Sequence, residues 1–214
     1  MGQYYIPVII SGNKRMRLYS HQYDNGIKLM EHSYIGNNFM NAVCSLLLDR
    51  PAKVAWIGDY SADFTEDMEP YETKLPQKKF MRIYNATWTS KKREYVKPEP
   101  MQMDIDSALG WWLVNHTQKI ALDLGKYVAE NKWRKAWKDW KTGETEEYDM
   151  CVHPLSLLTA CGNGRGGGDY HDCHPDYDKV GTWAFDRIQL MTEKPNGYAE
   201  VTYHFTEREG ADGV

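Results

Sequence analysis

Gln3-Tyr4-Tyr5-Ile6-Pro7-Val8-Ile9-Ile10-Ser11-Gly12-Asn13-Lys14-Arg15-Met16-Arg17-Leu18-Tyr19 is the stretch that decides the fold class. Its first half is rich in β-branched and aromatic residues, Ser11 to Lys14 supply turn chemistry, and Arg15 to Tyr19 resume the β-prone pattern. That spacing predicts a β-hairpin. Pro7 lacks a backbone donor, so its strand is expected at an edge or with a bulge.

Outward from the hairpin, Asn37-Asn38 can cap a helix running to Leu48, which Arg50-Pro51 stops. Lys53–Ile57 reads as a short strand ending at Gly58-Asp59-Tyr60. Ser61–Lys79 is acidic and without period, and reads as a loop. Phe80–Thr89 alternates like a strand, and Lys91–Met103 looks like a connection. A second hairpin is expected from Trp111–Val114 and Ile120–Leu124. A helix is expected over Lys126–Lys141, ended by Gly143, and Pro154 can open a short helix through Thr159. Thr182–Met191 and Tyr198–Thr206 read as a third hairpin across Pro195-Asn196-Gly197. The predicted fold is α+β, mainly antiparallel sheet with two or three helices, in one domain spanning 1–214. Aromatic pairs (Tyr4-Tyr5, Trp111-Trp112) and two Gly-Asp-Tyr triplets make 1–105 and 106–214 candidate repeats.

The 214 residues carry 26 Lys+Arg against 30 Asp+Glu, a net charge of -4, with 42% hydrophobic residues. That balance excludes disorder and a generally basic nucleic-acid binder, so nucleic acid is not an expected partner. No apolar run approaches the roughly 20 residues that span a bilayer, so no membrane association is expected. Met1-Gly2-Gln3-Tyr4-Tyr5-Ile6 does not read as a signal peptide, and position 6 lacks the Ser or Thr of a myristoylation motif. Cys44, Cys151, Cys161 and Cys173 are too few for a disulfide scaffold. A cytoplasmic protein is expected.

Ala160–Tyr170 is the most unusual segment for chemistry. Asn163, Gly164, Arg165, Gly166, Gly167 and Gly168 could form an anion-binding loop. Glycines let successive amides turn inward, and Arg165 offers a planar fork to phosphate or carboxylate. No Gly-Lys-Ser/Thr follows, so it is not a P-loop. His153 and Asp169 are the candidate catalytic pair, a general acid or base and its orienter. Cys151, His153, Cys161, His171, Cys173 and His174 hold enough soft donors for zinc, but without paired spacing. No metal is assigned, and a zinc-dependent hydrolase is kept as an alternative. Trp133, Trp137 and Trp140 fall at i, i+4 and i+7 of the expected helix. They form one stripe expected to dock on the core, or else to meet a protein partner.

Five pieces together resemble a group of uncharacterised microbial proteins: Met1-Gly2-Gln3-Tyr4-Tyr5, Lys28–Ser33, His153-Pro154-Leu155, Asn163–Tyr170 and Trp183–Ile188. The resemblance implies one intact fold and carries no activity. The expected function is recognition of a small anionic ligand, a nucleotide or phosphate ester, at the glycine-rich loop, with or without hydrolysis. The alternative is a protein-binding or inhibitory module without a small-molecule site.

Overall fold

A computed structural model describes residues 3–62, 75–91, 94–162 and 175–206. Ten strands and five α-helices lie among them. In chain order they are β1 (Tyr5–Ser11), β2 (Lys14–Arg17), α1 (Leu29–His32), α2 (Asn38–Ser45), β3 (Ala52–Gly58), α3 (Gln77–Tyr84), β4 (Trp112–Asn115), β5 (Ile120–Asp123), α4 (Leu124–Asn131), β6 (Trp133–Lys138), β7 (Thr145–Met150), α5 (Pro154–Leu158), β8 (Ala160–Cys161), β9 (Arg187–Met191) and β10 (Ala199–Val201). The main sheet runs β10-β5-β4-β9-β3-β1-β2, with β8 added beside β3, and β6-β7 forms a two-stranded sheet of its own. Pairing is antiparallel except at β10-β5 and β3-β8, so the α+β expectation holds.

The first hairpin forms where the turn chemistry placed it, with Gly12 at φ 57 in the turn. Pro7 does not mark an edge: β1 lies between β2 and β3. Pro7 sits opposite Trp56, whose N–H turns away to the carbonyl of Thr159 at 2.8 Å. The missing Pro7 donor therefore faces the β2 side, beyond the last β1–β2 pair, where only Leu18 N–H meets the Pro7 carbonyl. One ladder bond at a strand end is all the proline removes.

Asn37 caps α2 as expected, its side chain accepting from the amides of Phe39 and Met40. The helix ends at Ser45, short of Leu48. One face of the sheet carries Ile9, Val54, Trp56, Leu113, Leu122, Ile188 and Leu190, packed with Phe39, Met40, Val43, Leu47, Tyr127 and Leu155 from the helices α2, α4 and α5 and the chain beyond α2. The other face carries Val8, Ala55 and Ile57 and is covered by Phe80 and Ile83 of α3.

Three expected elements are corrected. Phe80–Thr89 is helical, α3 followed by a π-helical turn at Asn85–Thr89. Phe80 and Ile83 stand three apart and both bury, so the helical period overrides the weak alternation. The helix over Lys126–Lys141 stops at Asn131, and Trp133–Lys138 pairs as β6 with β7. Asn131 holds the C-terminal segment instead: its amide donates to the carbonyl of Tyr203 and accepts from Phe205 N–H. The last expected hairpin does not form. β9 is flanked by β4 and β3, so β10 goes to β5 at the sheet edge.

β2-β1-β3 and β5-β4-β9 share one arrangement, a hairpin whose first strand pairs antiparallel with a third, and they meet along β3–β9. A duplicated unit would produce this order; we keep duplication as a proposal.

Candidate functional site

Sheet register assembles a row of positive side chains that are far apart in the sequence. Arg15 of β2 lies opposite Ile10 of β1, Ile10 opposite Lys53 of β3, and Lys53 opposite Arg187 of β9. Residues opposite one another project from the same sheet face. Arg15 and Lys53 are thus separated by two strand spacings, about 10 Å, and Lys53 and Arg187 by one, about 5 Å. Lys79 of α3 joins them along a cleft of about 540 Å³. Ile10, Leu75, Ile83 and Phe185 supply its apolar lining, and the Gly12-Asn13 turn forms part of its rim. Among the described residues no acidic side chain lines this cleft.

None of Arg15, Lys53, Lys79 and Arg187 has an ion-pair partner among the described residues. Like charges directly opposite across a ladder destabilise a sheet. Lys53 and Arg187 stand so, without a described carboxylate between them. Asp186, the chain neighbour of Arg187, is buried, and its Oδ2 accepts from the side-chain amides of Asn115 and Gln118 at 2.8 and 2.7 Å. The turn that separates Asp186 from the row is set by Phe185. Its backbone is left-handed, φ 64, and its N–H donates to the Val54 carbonyl at 2.7 Å. That conformation is rare for a bulky residue and concentrates at functional sites.

The row continues beyond Arg187 to His116, whose N–H donates to the Arg187 carbonyl at 2.8 Å. Gln189 Nε2 donates to the Leu48 carbonyl, leaving Oε1 to accept from His116 Nε2 at 3.0 Å. His116 Nδ1 is then the acceptor for the Tyr198 hydroxyl at 3.0 Å. Burial holds the imidazole below its usual value, against the Gln189 hydrogen bond and with help from Arg187.

His153 lies elsewhere. It is fully buried at the N-cap of α5, with Nδ1 accepting from Leu155 N–H at 3.1 Å. That acceptor role puts the ring proton on Nε2, which faces Cys44 Sγ at 3.4 Å. Burial pushes His153 down to about 3 and the Cys44 thiol up to about 12. They form a neutral contact, with no thiolate for nucleophilic chemistry. The geometry gives His153 a helix-capping role in a side chain shielded from solvent.

Asn163–Gly168, with Arg165, and Asp169 lie outside the described residues, as do His171, Cys173 and His174. The chain enters that segment from β8, where Cys161 pairs beside Ile57. Gly162 packs so closely that an added Cβ would lie 2.1 Å from both Gln3 Oε1 and the Tyr5 hydroxyl. This root stands at the Gly58 end of β3, about 17 Å along the strand from Lys53. Among the described residues no group of three His, Cys, Asp or Glu side chains could hold a metal ion.

The tryptophan stripe is not a helix face. Trp133 is half-buried against Tyr34, while Trp137 and Trp140 are 49% and 82% exposed on the β6–β7 hairpin. A second cleft of about 520 Å³ at the base of this hairpin is acidic, lined by Asp104, Asp106, Glu147 and Asp149 around Arg134. Its charge is opposite to that of the cationic cleft. No described helix is long and apolar enough to cross a membrane.

No family model, curated protein or solved structure matches this chain.

Proposed function

We propose that this protein recognises a small anionic ligand, a nucleotide or another phosphate ester, in the cleft between α3 and the β2-β1-β3-β9 face. The observation that carries this is the row Arg15, Lys53 and Arg187, set by register on one face with no carboxylate beside it among the described residues. Arg15 and Arg187 offer planar forks suited to phosphate oxygens, and Lys53 and Lys79 add point charges. The apolar lining from Ile10, Leu75, Ile83 and Phe185 suits an organic body attached to the anion, and the volume lies in the range of small-molecule sites. Recognition in this cleft requires nothing of Asn163–Gly168, and no catalytic step is assigned to it.

Calorimetric titration with pyrophosphate and with a nucleoside triphosphate at low ionic strength tests the proposal. Charge-assisted hydrogen bonds contribute about 1.5–3 kcal/mol each, so Lys53→Ala with Arg187→Ala should weaken binding at least tenfold. The affinity of the unaltered protein should fall with added salt. Failure of both anions to bind at millimolar concentration, or equal binding by the double variant, would overturn it.

A further inference from the structure

The β6–β7 hairpin is independent of the cationic cleft and carries its own surface. Among the described residues it is paired only with itself, in six cross-strand pairs from Trp133–Met150 to Lys138–Thr145. Its length is about 20 Å. An isolated two-stranded hairpin is marginally stable in water. Its two faces differ. On one, Arg134 pairs with Glu147 and Asp149, and Lys138 stands farther along the same face. On the other, Trp133, Lys135 and Trp137 share a side with Met150, Tyr148 and Glu146. Trp133 roots that face on Tyr34, but Trp137 and Tyr148 stay 49% and 43% exposed. Lys135 and Glu146 have no ion-pair partner among the described residues.

We propose that this face is a self-association surface on which a second copy of the chain lays its own hairpin in the opposite direction. The pattern is self-complementary. Lys135 lies opposite Tyr148, and Trp137 opposite Glu146 in the next layer along. A two-fold axis between these layers brings Trp137 over Lys135 of the second copy, a cation–π pair. It also places Lys135 near Glu146 of the second copy. Both contacts occur twice, as an isologous interface requires. The face carries one cation and one anion, so it matches itself better than a polyanion such as nucleic acid or an acidic membrane. Exposed Trp and Tyr are the side chains that dominate such contacts. One face of a hairpin this short buries less than the roughly 1,200 Å² of a standard interface, so association is weak and concentration-dependent.

Sedimentation velocity of the full chain, from about 1 to 300 µM, covers the range expected for so small an interface. The unaltered protein should shift from monomer to dimer across it. Trp137→Ser should hold it monomeric. Lys135→Glu should weaken the dimer at least tenfold by setting two acids against each other, and Lys135→Glu with Glu146→Lys should restore it. A hairpin that merely lost its structure would not be rescued by the exchange. A monomer at every concentration, indifference to Lys135→Glu, or failure of the exchange would overturn the proposal. So would a monomer whose tryptophan emission is quenched by a single-stranded oligonucleotide or by anionic vesicles in the unaltered protein but not in Trp137→Ser, which would assign the face to polyanions.

Discussion

Replacing Lys53 by methionine should make the protein more stable while weakening its grip on anions. Lys53 and Arg187 are direct cross-strand neighbours with no described carboxylate between them. With head groups about 6 Å apart in a water-like dielectric, their repulsion is about 0.7 kcal/mol, within the 0.2–1 kcal/mol span of cross-strand pairs. Methionine keeps the unbranched stem and removes the charge, so the repulsion is relieved with little change in packing. For a chain of this size the gain corresponds to a rise in Tm of about 1–4 °C. Because Lys53 is partly exposed, the increment should shrink between about 20 and 500 mM salt, as the screening length contracts. The ligand effect runs the other way. Pyrophosphate at 100 times its Kd should stabilise the unaltered protein by about 2.7 kcal/mol, and the variant by much less at the same concentration. Thermal melts of both proteins, with and without pyrophosphate at two salt concentrations, read all four quantities. A variant less stable than its parent at low salt, or one with an undiminished pyrophosphate shift, would refute the reasoning.

Other consequences can be checked as directly. His153→Ala removes the acceptor for Leu155 N–H and leaves a cavity beside Cys44, so denaturant unfolding should show a loss of about 2–4 kcal/mol. Anion binding by the folded fraction should be unchanged. Acid should destabilise the protein through His32 and His153, which burial depresses from 6.5 to about 4 and about 3. Below pH 6.5 the unfolded chain takes up protons that the folded chain does not, so stability present above pH 6.5 is lost as pH falls, about 2 kcal/mol per histidine by pH 5. Urea titrations that give equal stability at pH 7 and pH 5 would contradict this. Gly162→Ala would press its methyl group against Gln3 and Tyr5, both buried, and should lower Tm clearly. Gly143→Ala has no such neighbour and bears only the strain of its positive φ, so it should cost about 1 kcal/mol in the hairpin alone.

What the sequence made legible was local. Gly12-Asn13, Asn37 and Pro154 each fix the backbone of their own neighbourhood, and the elements beside them form where expected. Trp133 and Trp137 show where local pattern fails. A separation of four residues satisfies both a helix face and a strand face, and the choice fell to Asn131, whose side chain binds Tyr203 and Phe205 far along the chain. Phe80 and Ile83 were hidden for a related reason, since an eight-residue helix offers little more than two turns of pattern. The cationic row left no local signal. Arg15, Lys53 and Arg187 each look like an ordinary surface residue until β1–β3 and β3–β9 pairing brings them onto one face. The glycine-rich segment drew attention because its composition is unusual, whereas these cations are unusual only in their arrangement.

The two sheet faces explain why such a row can exist. The face carrying Ile9, Val54, Trp56 and Ile188 is closed over by helices. On the other face, β3 presents Ile57, Ala55 and Lys53 in succession, and β1 presents Ile6, Val8 and Ile10 beside them. α3 covers that face with Phe80 and Ile83, while Lys53 and Ile10 line the cleft beside it. Valine at 53 would extend the apolar strip by one place and spare the sheet its repulsion with Arg187. Packing alone therefore favours a different residue at this position. Under the proposed function the compensating partner is a negative charge attached to a body small enough to enter beside α3, among four cations and an apolar floor.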